Sequence, residues 1–293
     1  SKDLVEFIPK EFGSESLLFI TSLNLKTFLL FLAYSMLISS ISIINQIKDK
    51  KSDTINKKLF LINDKYSDKF SNRIRIRIGL ASLVLLLYIN WIIMFLGMFM
   101  YLFYGYLYNE SPLRFKKNPL GGLFCKIVVG IILLYSGYLH LNGTTQILGL
   151  ELFILFLPYI LFFSSISILI DIPDFKGDIE NNTTTFAVYV GKNRAAIISL
   201  CFNLIALFIS LIIEDPLSSI ILVVSLPFFC YAVIRGLKKD ILRSIRYPIA
   251  IINLFTMTIY PYLFLPIIII FYLSKYYYWH RFSLHYPTLL VDD

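Results

Sequence analysis

The residues "DIPDFKGD" (Asp171–Asp178) follow directly on "LFFSSISILI" (161–170), a stretch apolar enough to sit in lipid. Carboxylates at the edge of a bilayer are costly unless a positive partner holds them. Three of them at the end of one apolar segment therefore ask for such a partner. What that partner is, and where the segment sits, settles both the fold class and the chemistry.

Working outward, the surrounding chain is of the same character. It has 293 residues, of which 57% are hydrophobic and 16% charged, with a mean hydropathy of +0.73. Several apolar runs reach or approach the roughly 18 residues needed to cross a bilayer. The short alternating segments of a membrane barrel are absent from the sequence. The expected fold is all-α: one polytopic transmembrane domain over 1–293, of eight to nine spans, with a central cavity opening to the cytoplasmic side. Helices are expected at about 26–48, 76–94, 95–110, 119–140, 148–172, 194–213, 216–236 and 246–275. An irregular partial span is expected over 4–23, where Pro9, Lys10, Glu11, Gly13 and Glu15 interrupt the pattern. The 246–275 segment is long for one upright span and contains Pro261 and Pro266, so it is tilted, kinked or in two pieces.

The net charge of +8 resides mainly in short connections. Basic residues fill 48–77, 111–118, 173–194 and 236–246, whereas "HLNGTTQILG" and "IIEDPLSS" carry no Lys or Arg. This alternation is the positive-inside pattern, not a nucleic-acid surface, and it places "DIPDFKGD" at the cytoplasmic face. Cys125, Cys201 and Cys230 are scattered singly, as are His140, His280 and His285. They show neither metal-ligand spacing nor a disulfide framework.

A second acidic cluster, "NQIKDKKSD" (Asn45–Asp53), lies on the same side. Asn45, Asp49 and Asp53 recur at i, i+4, i+8 and line one stripe of a helix end. Asp171, Asp174 and Asp178 recur at i, i+3, i+7 and share a face if helical, although Pro173 threatens a break there. Five carboxylates on two spans repel one another, so something positive must lie between them. Carboxylate and amide oxygens are hard ligands that suit Mg²⁺, which leaves coordination positions open for phosphate oxygens.

The first cluster resembles the N-x-x-x-D-x-x-x-D motif of the UbiA family of intramembrane prenyltransferases, and "DIPDFKGD" resembles that family's D-x-x-D-x-x-G-D motif. "YNESPLRFKKNPLGG" (Tyr108–Gly122) is similar to the family's basic stretch between spans four and five, and "ENNTTTFAVYVGKNRA" to its continuation into span seven. The similarity covers about 25–275. Two departures stand out: no recognisable first span, and Gln46 where many members carry Asp.

The resemblance implies an integral membrane enzyme with its active site facing the cytoplasm. It would transfer a polyprenyl group from a prenyl diphosphate, through an allylic carbocation, to a lipophilic acceptor such as an aromatic quinone precursor or a lipid. It implies two Mg²⁺ ions, with Asn45, Asp49 and Asp53 around one and Asp171, Asp174 and Asp178 around the other. Lys48, Arg114, Lys116 and Lys117 are the implied diphosphate partners. Tyr108, Tyr135 and Tyr138 are candidate aromatic faces for the cation. Nucleic acid is not an expected partner.

Other readings of the same residues are a transporter or ion-binding protein using the Asp clusters, a CDP-alcohol phosphotransferase type, and an inactive lipid-binding relative. Clusters at one surface, not near the midplane, disfavour transport. Motifs split between distant helices disfavour the phosphotransferase.

Overall fold

The computed structural model describes residues 25–55, 68–110, 112–142, 149–259 and 264–283, and these form an all-helical structure without strands. The expected partial span at 4–23, much of the first basic connection and His285 lie outside the described residues. In chain order the long helices are α1 (Leu25–Ile55), α2 (Asp68–Ile89), α3 (Trp91–Met100) and α4 (Pro119–Asn142). Then come α5 (Leu150–Ile170), the short α6 (Phe175–Glu180) and α7 (Phe186–Val190), α8 (Lys192–Ile212), α9 (Pro216–Arg235), α10 (Lys238–Ile259) and α11 (Phe264–Phe282).

Among the described residues five helices are long and apolar enough to cross a membrane: α1 over Leu25–Lys50, α4, α5, α8 and α9. A shorter apolar helix runs over Trp91–Leu107. The expected eight to nine spans are thus met in part. The helix expected at 76–94 begins earlier, at Asp68, and its first turns carry Arg73, Arg75 and Arg77. It ends at Ile89, because Asn90 turns extended (φ −163°) and its Oδ1 accepts from Ile92 N at 2.7 Å. That is an N-cap, and it starts α3 four residues before the expected boundary.

Within 246–275 the described residues are helical, as the end of α10 and the first part of α11, and 260–263, with Pro261, lie outside the described residues; α10 starts at Lys238, inside what was expected to be a basic loop. Only Gly236 and Leu237 separate α9 from α10, with Gly236 closing α9 in the left-handed region (φ 61°). The charged residues that suggested a loop are instead the first turns of a helix. Asp240 lies buried there between Arg235 (3.0 Å) and Arg243 (3.3 Å).

Two cores form. One gathers Leu37, Leu86, Ile93, Met100 and Leu139 from α1 to α4. The other gathers Ile168, Leu169, Ala195, Ala206, Leu222 and Phe229 from α5, α8 and α9. Within lipid, small residues let helices approach closely. Ser164, Ser165 and Ser167 of α5 are buried, and Ser199 Oγ of α8 donates to the Ser165 carbonyl at 2.7 Å. Likewise Ser40 Oγ of α1 donates to the Arg75 carbonyl at 2.7 Å. The two cores join where α4 packs on α5 and α1 packs on α6. Thr27 Oγ1 meets His140 Nε2 at 2.8 Å at one end of α1. The opposite end of α1 carries Asp49.

Candidate active site

Helix α1 runs unbroken to Ile55, so Asn45, Asp49 and Asp53 lie on one stripe. Asp49 is buried and Asp53 half-buried. The second motif behaves differently. Helix α5 ends at Ile170, Asp171 is its C-cap, and residues 171–174 form a turn around Pro173. Asp174 then opens α6, which carries Asp178 and packs on α1. Pro173 breaks the helix, so the i, i+3, i+7 face does not form as one helical stripe. The contact of α6 with α1 brings the two motifs together instead.

Two lysines pair with the aspartates that open the clusters. Lys116 Nζ pairs with Asp49 Oδ2, and Lys126 Nζ lies 2.5 Å from Asp171 Oδ1. Lys116 also acts electrostatically on Asp178, as do Asp174 and Asp171. Tyr104 and Tyr108 both feel Asp49 and Asp171. Carboxylates from the two motifs therefore share one electrostatic environment at one end of the bundle.

Asp178 illustrates its character. Burial pushes its carboxyl up to about 6; Lys116 and a 3.2 Å hydrogen bond from Thr185 Oγ1 pull down, while Asp174 and Asp171 push up.

The aromatic wall is built by an irregular helix. Residues Tyr101–Leu107 form a π-helical turn, in which Tyr108 N donates to the Phe103 carbonyl at 3.0 Å. Such turns often occur at functional sites. Tyr104 and Tyr108 lie with ring centroids 4.7 Å apart, while Tyr101 packs toward Gly79 of α2. Asn109 Nδ2 closes the turn by donating to the Gly105 carbonyl at 3.0 Å. Tyr135 and Tyr138 lie further along α4, Tyr138 against Phe156 at 6.3 Å. At ~1.5 Å per residue, Tyr138 is roughly 18 Å along the helix from Lys126.

The other basic candidates separate as well. Lys48 Nζ pairs with Glu110 at 2.8 Å, in partly exposed surroundings. Arg114 (φ 35°) opens the 3₁₀ turn Phe115–Lys117, on which Lys116 turns inward and Lys117 is exposed. Lys126 was missed in the sequence. Its signal was a single charge inside the apolar run "GGLFCKIVVGIILL" (121–134), which calls for a buried partner. A recess of about 700 Å³ on α11, lined by Ile268, Tyr272, Tyr276 and Trp279 among others, contains none of the candidate residues.

Asn45 Oδ1 and Gln46 Oε1 are buried without a hydrogen-bond partner. These oxygens sit on the helix that carries Asp49. Among the described residues no three carboxylates enclose one point as a metal cage would. The set fits Mg²⁺ in the form in which that ion is usually held, by one or two carboxylates plus phosphate oxygens of a substrate.

The model of the UbiA prenyltransferase family matches residues 17–247, which include both acidic motifs, Lys116 and Lys126. The chain belongs to this family. By family it is therefore an intramembrane prenyltransferase, and its apolar helices agree with an integral membrane protein. The match stops short of 248–275, which the sequence resemblance was expected to include. No curated protein and no solved structure matches the chain.

Proposed function

We propose that this UbiA-family protein transfers a prenyl group from a prenyl diphosphate to a lipophilic acceptor, an aromatic quinone precursor or a lipid, in a Mg²⁺-dependent reaction at the cytoplasmic face. The observation that carries this reading is the convergence of the Asp49 and Asp171–Asp178 clusters, each with a lysine, beside Tyr104 and Tyr108. Asn45, Asp49 and Asp53 on one side, with Asp174 and Asp178 on the other, are the residues that would hold Mg²⁺. When bound, the ion would offset the charge that grows on the leaving diphosphate.

The chain's own groups do the rest. Lys116, released from Asp49, donates to a diphosphate oxygen and fixes its orientation. Arg114 and Lys117, on the same turn, supply further positive charge as the diphosphate enters. The faces of Tyr104 and Tyr108 stabilise the allylic cation and keep water away from it. The isoprenoid tail lies between apolar helices. The C–O bond to diphosphate breaks with its electron pair leaving on the diphosphate, the acceptor attacks the allylic cation so formed, and the proton displaced by the new bond passes to the released diphosphate.

The test uses membranes holding the full chain, radiolabelled farnesyl or geranylgeranyl diphosphate, and a panel of aromatic and lipid acceptors read by mass spectrometry. Label transfer that EDTA abolishes and Mg²⁺ restores is the expected result. Ion flux in proteoliposomes that depends on the same aspartates, without label transfer, would replace the reading with transport.

A further inference from the structure

Lys126 differs from Lys116 in its backbone and not in its burial: its side chain and that of Asp171 are 11% and 15% exposed, against 14% and 9% for Lys116 and Asp49, but Lys126 sits inside α4, about two turns from Pro119. Its Nζ donates to Asp171 Oδ1 at 2.5 Å and to the Ser167 carbonyl at 3.3 Å. That carbonyl would ordinarily accept from the amide four residues on, which is Asp171 N. Here the Asp171 amide turns instead to the Ile168 carbonyl at 3.3 Å. Lys126 thus satisfies a carbonyl at the C-terminus of α5, where the helix end is negative. Two attractions fix it: a carboxylate and an orphan carbonyl at a helix terminus. A rigid helix carries it.

We propose that Lys126 is a built-in cation that holds Asp171 away from metal ligation, so that a bound prenyl diphosphate is accompanied by one divalent ion and not two. This rests on the prenyl-transfer reading above. The pair is a closed unit, because a divalent ion reaching Asp171 would leave a buried ammonium and a helix end without their partner. Lys116 has no such constraint. It stands on a three-residue turn in the connection between π-helical turn and α4, where its backbone amide bonds the Tyr108 carbonyl at 3.2 Å. Its side chain can leave Asp49 for an arriving anion. The Asp49 side exchanges its cation when substrate binds, and the Asp171 side keeps one permanently.

The experiment counts ions, independent of turnover. Purified chain in nanodiscs is saturated with unreactive farnesyl S-thiolodiphosphate, and bound Mn²⁺ is measured by equilibrium dialysis and by electron paramagnetic resonance. One Mn²⁺ per chain is expected for the wild type, and two for Lys126→Met, in which Asp171 becomes available. The double variant Lys126→Met/Asp171→Asn, which neutralises the pair, is expected to return to one. Two ions in the wild type would overturn the proposal, as would one in the single variant. If Lys126→Met does not fold, the wild-type count and the double variant decide: a double variant that binds fewer ions than the wild type makes Asp171 a ligand and overturns it. Analogue bound with no Mn²⁺ in any form would be a separate failure, that of the metal reading itself.

Discussion

Asp49 and Asp171 are each held by one lysine, but the two lysines stand on different kinds of backbone. Lys116 belongs to a three-residue turn between helices, and Lys126 to the interior of α4. Asp49 lies on a helix that continues past it, whereas Asp171 ends one. The contrast teaches that two motifs of similar composition need not do equal work. On the proposed reading one opens for an anion, whereas the other is held by the packing of α4 on α5.

Several substitutions would break or sharpen that contrast. The largest effect is expected from Asp49→Ala and Asp174→Ala. Each removes a charge facing the diphosphate, and prenyl transfer should fall by about 10²–10³-fold, the scale for losing one electrostatic stabiliser of a transition state. Retained melting temperature would assign the loss to chemistry. Full transfer in both variants would end the account of the site.

Next comes Lys126→Met. Removing one partner of a buried ion pair costs about 3–5 kcal/mol, so thermal unfolding in detergent should show a marked loss of stability. Lys116→Met leaves the similarly buried Asp49 without its partner, so stability should fall by a comparable amount, but it should in addition raise the KM for prenyl diphosphate. A KM raised as much by Lys126→Met would erase the distinction.

The pH dependence is smaller. The folded Asp178 carboxyl, raised to about 6 by burial first of all, keeps its proton where the unfolded one has lost it. In the window from about pH 4 to 6 the native state binds more protons, so this residue's contribution to stability falls as pH rises and levels off above about 6. In metal-free buffer, Asp178→Asn should melt like the wild type at pH 3.5 and above it at pH 6.5. A difference that does not change with pH would place Asp178 in a wetter setting. Smallest of all, Lys48→Ala should cost under about 1 kcal/mol, since its partner Glu110 is also partly exposed.

Much of this was legible in the residues. The apolar runs announced the helices, and the spacing of Asn45, Asp49 and Asp53 announced their stripe, because α1 is regular. The pairing of α1 with α6 was not legible, since Pro173 redirects the chain and the contact is set by tertiary packing. Tyr104 and Tyr108 stand four residues apart, neighbours at α-helical spacing, so their pairing was legible, whereas the π-helical winding that carries them leaves no mark in the residue pattern. Lys126 was visible but mute, because a lone charge in an apolar run says that a partner exists without saying which. The start of α10 was hidden by its own charges, which read as a loop although Lys238, Lys239 and Asp240 are helical.

The central claim is that one prenyl diphosphate touches both acidic motifs through a divalent ion. Calorimetric binding of farnesyl S-thiolodiphosphate to the purified chain tests it most directly. The account predicts tight binding with Mg²⁺, at least tenfold weaker binding with EDTA, and a comparable loss in both Asp49→Ala and Asp174→Ala. Binding that ignores EDTA, or that depends on only one of the two aspartates, would contradict it.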